Sequence, residues 1–213
     1  ILGYGFGMQA ARLWHENQEF IAGKQDAQRL ITTLDELFPI THKWKSQIQE
    51  QAHQQGYLVS AHGYIRRFNC VFRYKPLHRL DAPRIGQRVL ADKSGQRWLV
   101  ENGDDAEAAI AFLPANDAFG RIKEAMIDLE DCGAGEEIGI CNQIHDSLIA
   151  VCRDGLEKAA IKIMQRKMQE ESRYLILPNG RGLECEAEFS ISGLGESWAQ
   201  CEEIKRLEEW LDG

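Results

Sequence analysis

The chain has 213 residues, with 33 acidic side chains against 25 basic ones, a net charge of −8 and a hydrophobic fraction of 44%. That is enough chain for one ordinary domain or a domain with a sizeable lobe, and no uncharged apolar run approaches the ~20 residues that a helical membrane span needs. The acidic balance argues against a free-standing nucleic-acid binder, whose footprint is usually a basic surface, although the local field at a ligand matters more than the total.

The sequence opens at Ile1, without a Met and without a basic-then-apolar leader pattern. It reads as a piece of a longer polypeptide. After a glycine cluster over residues 1–7, the stretch 8–20 reads as a short helix. From Asp26, the apolar positions Leu30, Ile31, Leu34, Leu37 and Phe38 line one helical face, and Pro39 stops or kinks it. Thr41 is placed to cap a second helix with the stripe Trp44, Ile48 and Ala52, ending at Gly56. The period then changes: Tyr57–Ser60 and Tyr64–Tyr74 are β-rich and flank His62-Gly63, a hairpin signal.

Residues 75–105 differ in composition, with Pro76, Pro83 and many charges; Arg88–Ala91 and Arg97–Glu101 bracket Asp92-Lys93-Ser94-Gly95 as a second hairpin. A long helix is expected from about Asp105, interrupted at Pro114, carrying Phe119, Ile122, Met126 and Leu129, and ended by Gly133 and Gly135. Ile138–Ile144 and Leu148–Cys152 read as short apolar strands around His145-Asp146-Ser147. Alternation puts Ile138, Ile140 and Ile144 on one face, and Cys141, Gln143 and His145 on the other. A helix over 156–171 comes next. Asn179-Gly180 then turns between strands Tyr174–Leu177 and Leu183–Ser190, and a helix over Glu202–Leu211 closes the chain. Helices and antiparallel hairpins without βαβ repetition indicate the α+β class.

Three signals bear on chemistry. Gly3-Tyr4-Gly5-Phe6-Gly7 invites a phosphate-loop reading but lacks the preceding strand and the Lys-Ser/Thr, so a helix terminus that uses glycine freedom is the better reading. Gln143-Ile144-His145-Asp146 puts a carboxylate at a hairpin tip; it suits a hard cation, or it makes an Asx-type turn. Arg66-Arg67 leaves the first hairpin; adjacent strand residues point to opposite faces, so at most one of the pair grips phosphate in a given groove, and a solvated surface pair is the plainer alternative. The six cysteines form no CxxC pair, which fits reduced thiols of a cytoplasmic protein.

Taken in order, these segments resemble the C-terminal fingers and palm part of family A DNA polymerases, the bacterial polymerase I type and especially its phage versions. The matches are Tyr4-Gly5 at the end of the fingers helix, then Phe38-Pro39, Trp44, Gly56-Tyr57 and Gly63 through Arg66-Arg67. Further on, Ala109 to Pro114, Asn116 and Lys123-Glu124-Ala125-Met126 match the palm helix. Gln143-Ile144-His145-Asp146 matches the metal-binding palm hairpin, and Gly195-Glu196-Ser197-Trp198 the Gly-x-x-Trp near the C-terminus.

The resemblance implies 1–56 as distal fingers helices and 57–213 as palm, with 75–105 inserted. It implies transfer of a nucleotide from a dNTP to the 3′-hydroxyl of primer-template DNA, with two Mg²⁺ ions held by two aspartates. Asp146 would be the second aspartate, and His145 and Gln143 would lie against the primer terminus and minor groove. Tyr4 and Gly5 would shape the nucleotide pocket, and Arg66 or Arg67 would contact the duplex backbone. The insertion departs from the family's short connection, and loops that long are usually functional or disordered. The expectation from its residues is an ordered hairpin around Asp92–Gly95 with Arg84, Arg88, Lys93 and Arg97 turned towards the DNA path, the alternative being an exposed decoration.

The sequence departs from the family at Ser147, where the usual residue is Glu, and at Ala111, where it is Asn. The minor-groove Gln is replaced by Asn116 or by Ala115, depending on a one-residue gap. The strand that carries the first aspartate, and the Lys and Arg that bind triphosphate, are missing. An upstream polymerase portion or subunit is therefore an expected partner, in a bacterial or phage-infected cytoplasm. The other readings are a non-catalytic nucleic-acid-binding scaffold and an unrelated metal-dependent hydrolase built on Asp146.

Overall fold

Pro39 ends one helix and begins the next. The computed structural model describes residues 5, 7–78, 81–83, 87–134 and 137–212. It places α1 over Ala10–Glu16 and α2 over Lys24–Leu37, close to their expected spans. Helix α3 runs Pro39–Gln55 with Phe38 as its N-cap and no capping side chain. Thr41 is thus inside the helix and does not cap it: a proline at the first helical position has its φ pre-set and needs no donor. Gly56 closes α3 at φ 74°, the left-handed C-cap.

Strands β1 (Tyr57–Val59) and β2 (Ile65–Arg67) form the expected antiparallel hairpin. The expected strand Tyr64–Tyr74 divides, because Phe68 and Val71 are both buried at a spacing that alternation does not allow. Beyond them β3 (Phe72–Leu77) pairs with β5 (Arg97–Asn102), which also pairs with β4 (Arg88–Ala91), giving the order β3-β5-β4. The hairpin around Asp92–Gly95 is present and β3 adds a third strand to it. In this register Arg88 lies opposite Val100, whereas Arg97 has the other parity. Arg88 and Arg97 therefore occupy opposite faces and present no single basic surface. Arg88 bonds to Glu50 at 3.1 Å and its guanidinium lies over the Phe72 ring, while Arg97 donates to the Asp81 carbonyl. Arg84 lies outside the described residues.

The chain packs as two compact units, up to Ala115 and from Asn116 on, and the boundary falls inside α4 (Ala106–Asp131). Pro114 does not interrupt this helix, although it removes one hydrogen bond. Ala109 and Phe112 before it are buried in the first unit's core with Ile48, Ala52, Leu58 and Val71, and Ile122, Ala125 and Leu129 after it are buried too. Packing on both sides outweighs one missing bond. The start of α4 is pinned by Asp105, whose carboxylate accepts from the Cys70 and Asn69 backbone N–H groups and is thereby held below the usual carboxylate range. No helix among the described residues is long and apolar enough to cross a membrane.

In the second unit β6 (Ile138–Ile144) and β7 (Ser147–Cys152) form a hairpin, and α5 (Glu157–Gln169) packs Ala160, Ile161 and Met164 with Leu129, Ile138 and Phe189. Gly180 turns the chain at φ 83°, but only the Ile176–Gly182 bridge and a few bonds join the flanking segments. The expected strand Leu183–Ser190 shrinks to β8 (Ser190–Ile191), paired with β9 (Glu202–Glu203). That pairing takes the first residues of the expected closing helix, so α6 spans only Leu207–Asp212.

Arg121 joins α4 to the end of α5. The residue is 4% exposed, and its Nη2 lies 3.1, 3.0 and 2.5 Å from the carbonyl oxygens of Lys167, Met168 and Glu170, groups that a helix C-terminus leaves without partners. One turn on, buried Glu124 accepts from the Ser172 hydroxyl at 2.7 Å and the Arg173 N–H at 3.0 Å.

This packing sets two expected outcomes. Arg121→Met strands those carbonyls and leaves Glu124 without its nearby cation, so urea denaturation should register a loss of about 3–5 kcal/mol. In the β4–β5 turn the Asp92 carboxyl is held down to about 2, first by the Ser94 hydroxyl and then by the Trp98 indole N–H. A depressed folded pKa contributes stability fully above the unfolded value of about 3.9 and loses it as pH falls. The Trp98 indole N–H resonance should therefore keep its bonded shift at pH 4 and lose it as pH falls through about 2.

Candidate functional site

The tip of the β6–β7 hairpin is built by one irregularity and one strained residue. Ile138 pairs with Cys152 and Ile140 with Ala150, but the next partners are Asn142 with Ile149, so Cys141 is an extra residue in β6. Directly opposed residues share a face of an antiparallel pair. Past the bulge, Gln143 joins Leu148 and Ala150 on the packed side, and Ile144 turns to the open side with Val151. Ile144 is 37% exposed and Val151 60%. The simple alternation expected of this strand, which groups Ile144 with Ile138 and Ile140 and sets Gln143 on the other face, is thus reversed at its end. The extra residue resets the parity.

Ile144 and Ser147 pair directly, leaving His145-Asp146 as a two-residue loop. His145 has φ 53°, the one positive value at a non-glycine among the described residues. Hairpin loops of this length need a left-handed first position to match strand twist, and here histidine takes the strain. The Gln143 side-chain amide donates to the His145 carbonyl at 3.3 Å and braces the turn. Asp146 is exposed, and with Ser147 it lines one end of a cleft of about 890 Å³. Its floor is apolar (Ile161, Met164, Phe189), and Asp154, Glu157 and Glu188 bring further carboxylates to its lining.

Gln143, His145 and Asp146 thus share one hairpin of the second unit. Asn116 stands half-buried on α4 at the start of that unit, and Ala115 just before it is exposed. Gly5, Arg66 and Arg67 belong to the first unit. Arg66 lies opposite Leu58 with its guanidinium over the Phe68 ring at 5.5 Å, and Arg67 lies opposite Tyr57 on the other, exposed face. Tyr4 lies outside the described residues. The sequence reading missed Cys141, whose role as an extra residue leaves no compositional trace. It also missed Arg121, which an arginine on an otherwise apolar helix stripe could have signalled.

No protein-family model matches the chain, and no curated protein matches it. Among solved structures its fold is similar to the POL domain of Pol1 from M. smegmatis, in complex with DNA primer-template and dNTP, at a TM-score of 0.55 and 20% identity. The match covers 79% of this chain and 25% of that one, so the chain spans a quarter of its length. The fold is that of part of a polymerase domain.

The left-handed tip gives a direct check. His145→Val puts a β-branched residue at positive φ and should cost about 1–2 kcal/mol in thermal or urea denaturation, whereas His145→Asn should be close to neutral.

Proposed function

We propose that this chain is the C-terminal fingers and palm part of a template-directed DNA polymerase. In this reading residues 1–56 are distal fingers helices and 57–213 are palm, with the segment 75–105 inserted. The observation that carries it is Gln143-Ile144-His145-Asp146 at a braced hairpin tip, in a chain whose fold is similar to a domain solved with primer-template DNA and dNTP. Asp146 is then one of the two catalytic aspartates, with His145 and Gln143 beside the primer terminus and minor groove. Tyr4 and Gly5 face the incoming dNTP, Arg66 or Arg67 the duplex backbone, and Asn116 the DNA from the palm helix.

The reading calls for two Mg²⁺ ions, and the residues present fit only part of that requirement. Mg²⁺ takes one or two carboxylates with phosphate oxygens and water, and Asp146 offers one exposed carboxylate. Among the described residues no three His, Cys, Asp or Glu side chains converge to hold a metal. The two-ion arrangement is therefore incomplete among the described residues, and in this reading an upstream polymerase portion supplies the other aspartate together with the triphosphate-binding Lys and Arg. What the chain itself contributes is the fixed position of Asp146, set by Gln143 and by the core under β6 and β7.

Primer extension by the chain combined with such an upstream portion tests this. Asp146→Asn should keep the fold and DNA affinity while extension falls by about 10³-fold or more, because the carboxylate that would hold a Mg²⁺ ion at the transferring phosphate is lost. Near-normal extension by that variant, or robust templated incorporation by the chain alone, would remove the assignment.

A further inference from the structure

Cys141 sits between the anchored half of the hairpin and the half that presents its chemistry. Below it, Ile138 is 3% exposed and Ile140, Ala150 and Cys152 pack against the second unit's core. Above it lie Gln143, His145 and Asp146. We propose that Cys141 is a positioning residue for the His145-Asp146 tip, acting as the extra residue of the bulge and not through its thiol; its catalytic consequence rests on the polymerase reading above.

The geometry separates the two roles of the cysteine. A bulge sets two residues of one strand against one of its partner, bends that strand and increases its twist, and so re-aims the residues beyond it. Here the partner of Ile140 is Ala150 and that of Asn142 is Ile149, with Cys141 left over. The residue is exposed, and among the described residues its Sγ–H donates to the Gly139 carbonyl of its own strand, at 3.4 Å. Nothing in that contact reaches the tip. The residue count does reach it: because of the extra residue, Gln143 lies on the packed face, where its amide holds the carbonyl of left-handed His145.

Two backbone variants isolate the effect of that count. Deleting Cys141 permits every remaining pairing, Asn142–Ile149, Gln143–Leu148 and Ile144–Ser147, to continue from Ile140–Ala150 as a regular ladder. The hairpin should fold and keep its faces, losing only the bend and twist. Inserting one alanine between Ile149 and Ala150 instead gives Cys141 a partner. This also removes the bulge, but it turns Gln143 outward and Ile144 inward. Cys141→Ser and Cys141→Ala keep the count and lose the thiol.

The experiment compares these variants of the full chain, combined with the upstream portion, by steady-state primer extension. Residual dipolar couplings of the amides 142–147, measured against those of 148–152 and α5, report the direction of the tip. The deletion should rotate the tip by more than about 10–20°, the tolerance of a working site, and lower kcat by about 10²-fold with DNA affinity and the KM for dNTP unchanged. The insertion should lower kcat as well and bury Ile144, while the serine and alanine variants should match the unmodified chain in both measurements. Wild-type kcat in the deletion variant would overturn the proposal, as would serine and alanine variants that lose as much rate as the deletion. If the unmodified chain combined with the upstream portion extends no primer, the polymerase reading fails by itself and the couplings decide the rest. An unrotated tip in the deletion variant then overturns the positioning role, and a rotated one upholds it. Should the deletion unfold, the insertion variant, which loses no residue but exchanges the faces of Gln143 and Ile144, is read by the couplings alone: an unrotated tip in it overturns the positioning role.

Discussion

Arg121 carries a positive charge into a site where only 4% of its surface meets solvent, and the second unit is arranged around that charge. A buried cation needs compensation from fixed dipoles or a counter-charge. It receives the carbonyl ends of the last turn of α5, which point their negative poles at it, and the carboxylate of Glu124 at 3.9 Å. Glu124 in turn fixes Ser172, whose hydroxyl accepts from the Tyr174 and Leu175 N–H groups and starts the next segment. One side chain on α4 thereby sets where α5 stops and where the chain goes next. The hairpin β6–β7 rests on the helix so fixed, through Ile161 and Met164.

How much of this was legible in the sequence depended on the kind of cause. Apolar spacing along α2 and α3, glycine at the end of α3, and the turn residues of the β4–β5 and β6–β7 hairpins are local causes, and those elements lie where local rules put them. Thr41 and Pro114 show a rule outweighed: the proline at position 39 starts its helix unaided, and two cores hold α4 together across position 114. The division of Tyr64–Tyr74 and the short β8–β9 pair were not legible, because their partners are distant in sequence and pairing across a distance leaves no periodic mark. At the site, the motif Gln143-Ile144-His145-Asp146 and its hairpin were visible at once. The face that each residue takes was not, since a single extra residue inverts an alternation of period two.

The environment of the tip also differs from that of an enclosed enzyme pocket. Asp146 is exposed, and the lining of the adjoining cleft is rich in carboxylates over an apolar floor. Such a surface repels a polyanion unless cations or basic groups intervene. The basic side chains of the first unit are mostly engaged: Arg73 with Asp104, Lys75 with Glu101, Arg88 with Glu50.

The three-stranded sheet β3-β5-β4 leaves the body of the first unit just after Val71 and returns at Gly103, and those two residues are hydrogen-bonded to each other, Gly103 N–H to Val71 carbonyl at 2.8 Å. The joint is close enough that a Cβ on Gly103 would come within 2.2 Å of the Cys70 carbonyl oxygen. Everything in the sheet therefore hangs from one closed seam, steadied against α3 by the pairs Tyr74–His53 and Arg88–Glu50 and by Phe72. A segment whose ends already touch behaves as a cassette: lengthening or trimming it changes the loop it closes and not the path of the chain on either side. Length variation in this region is thus natural between Val71 and Gly103, while Gly103 itself has no room for a side chain.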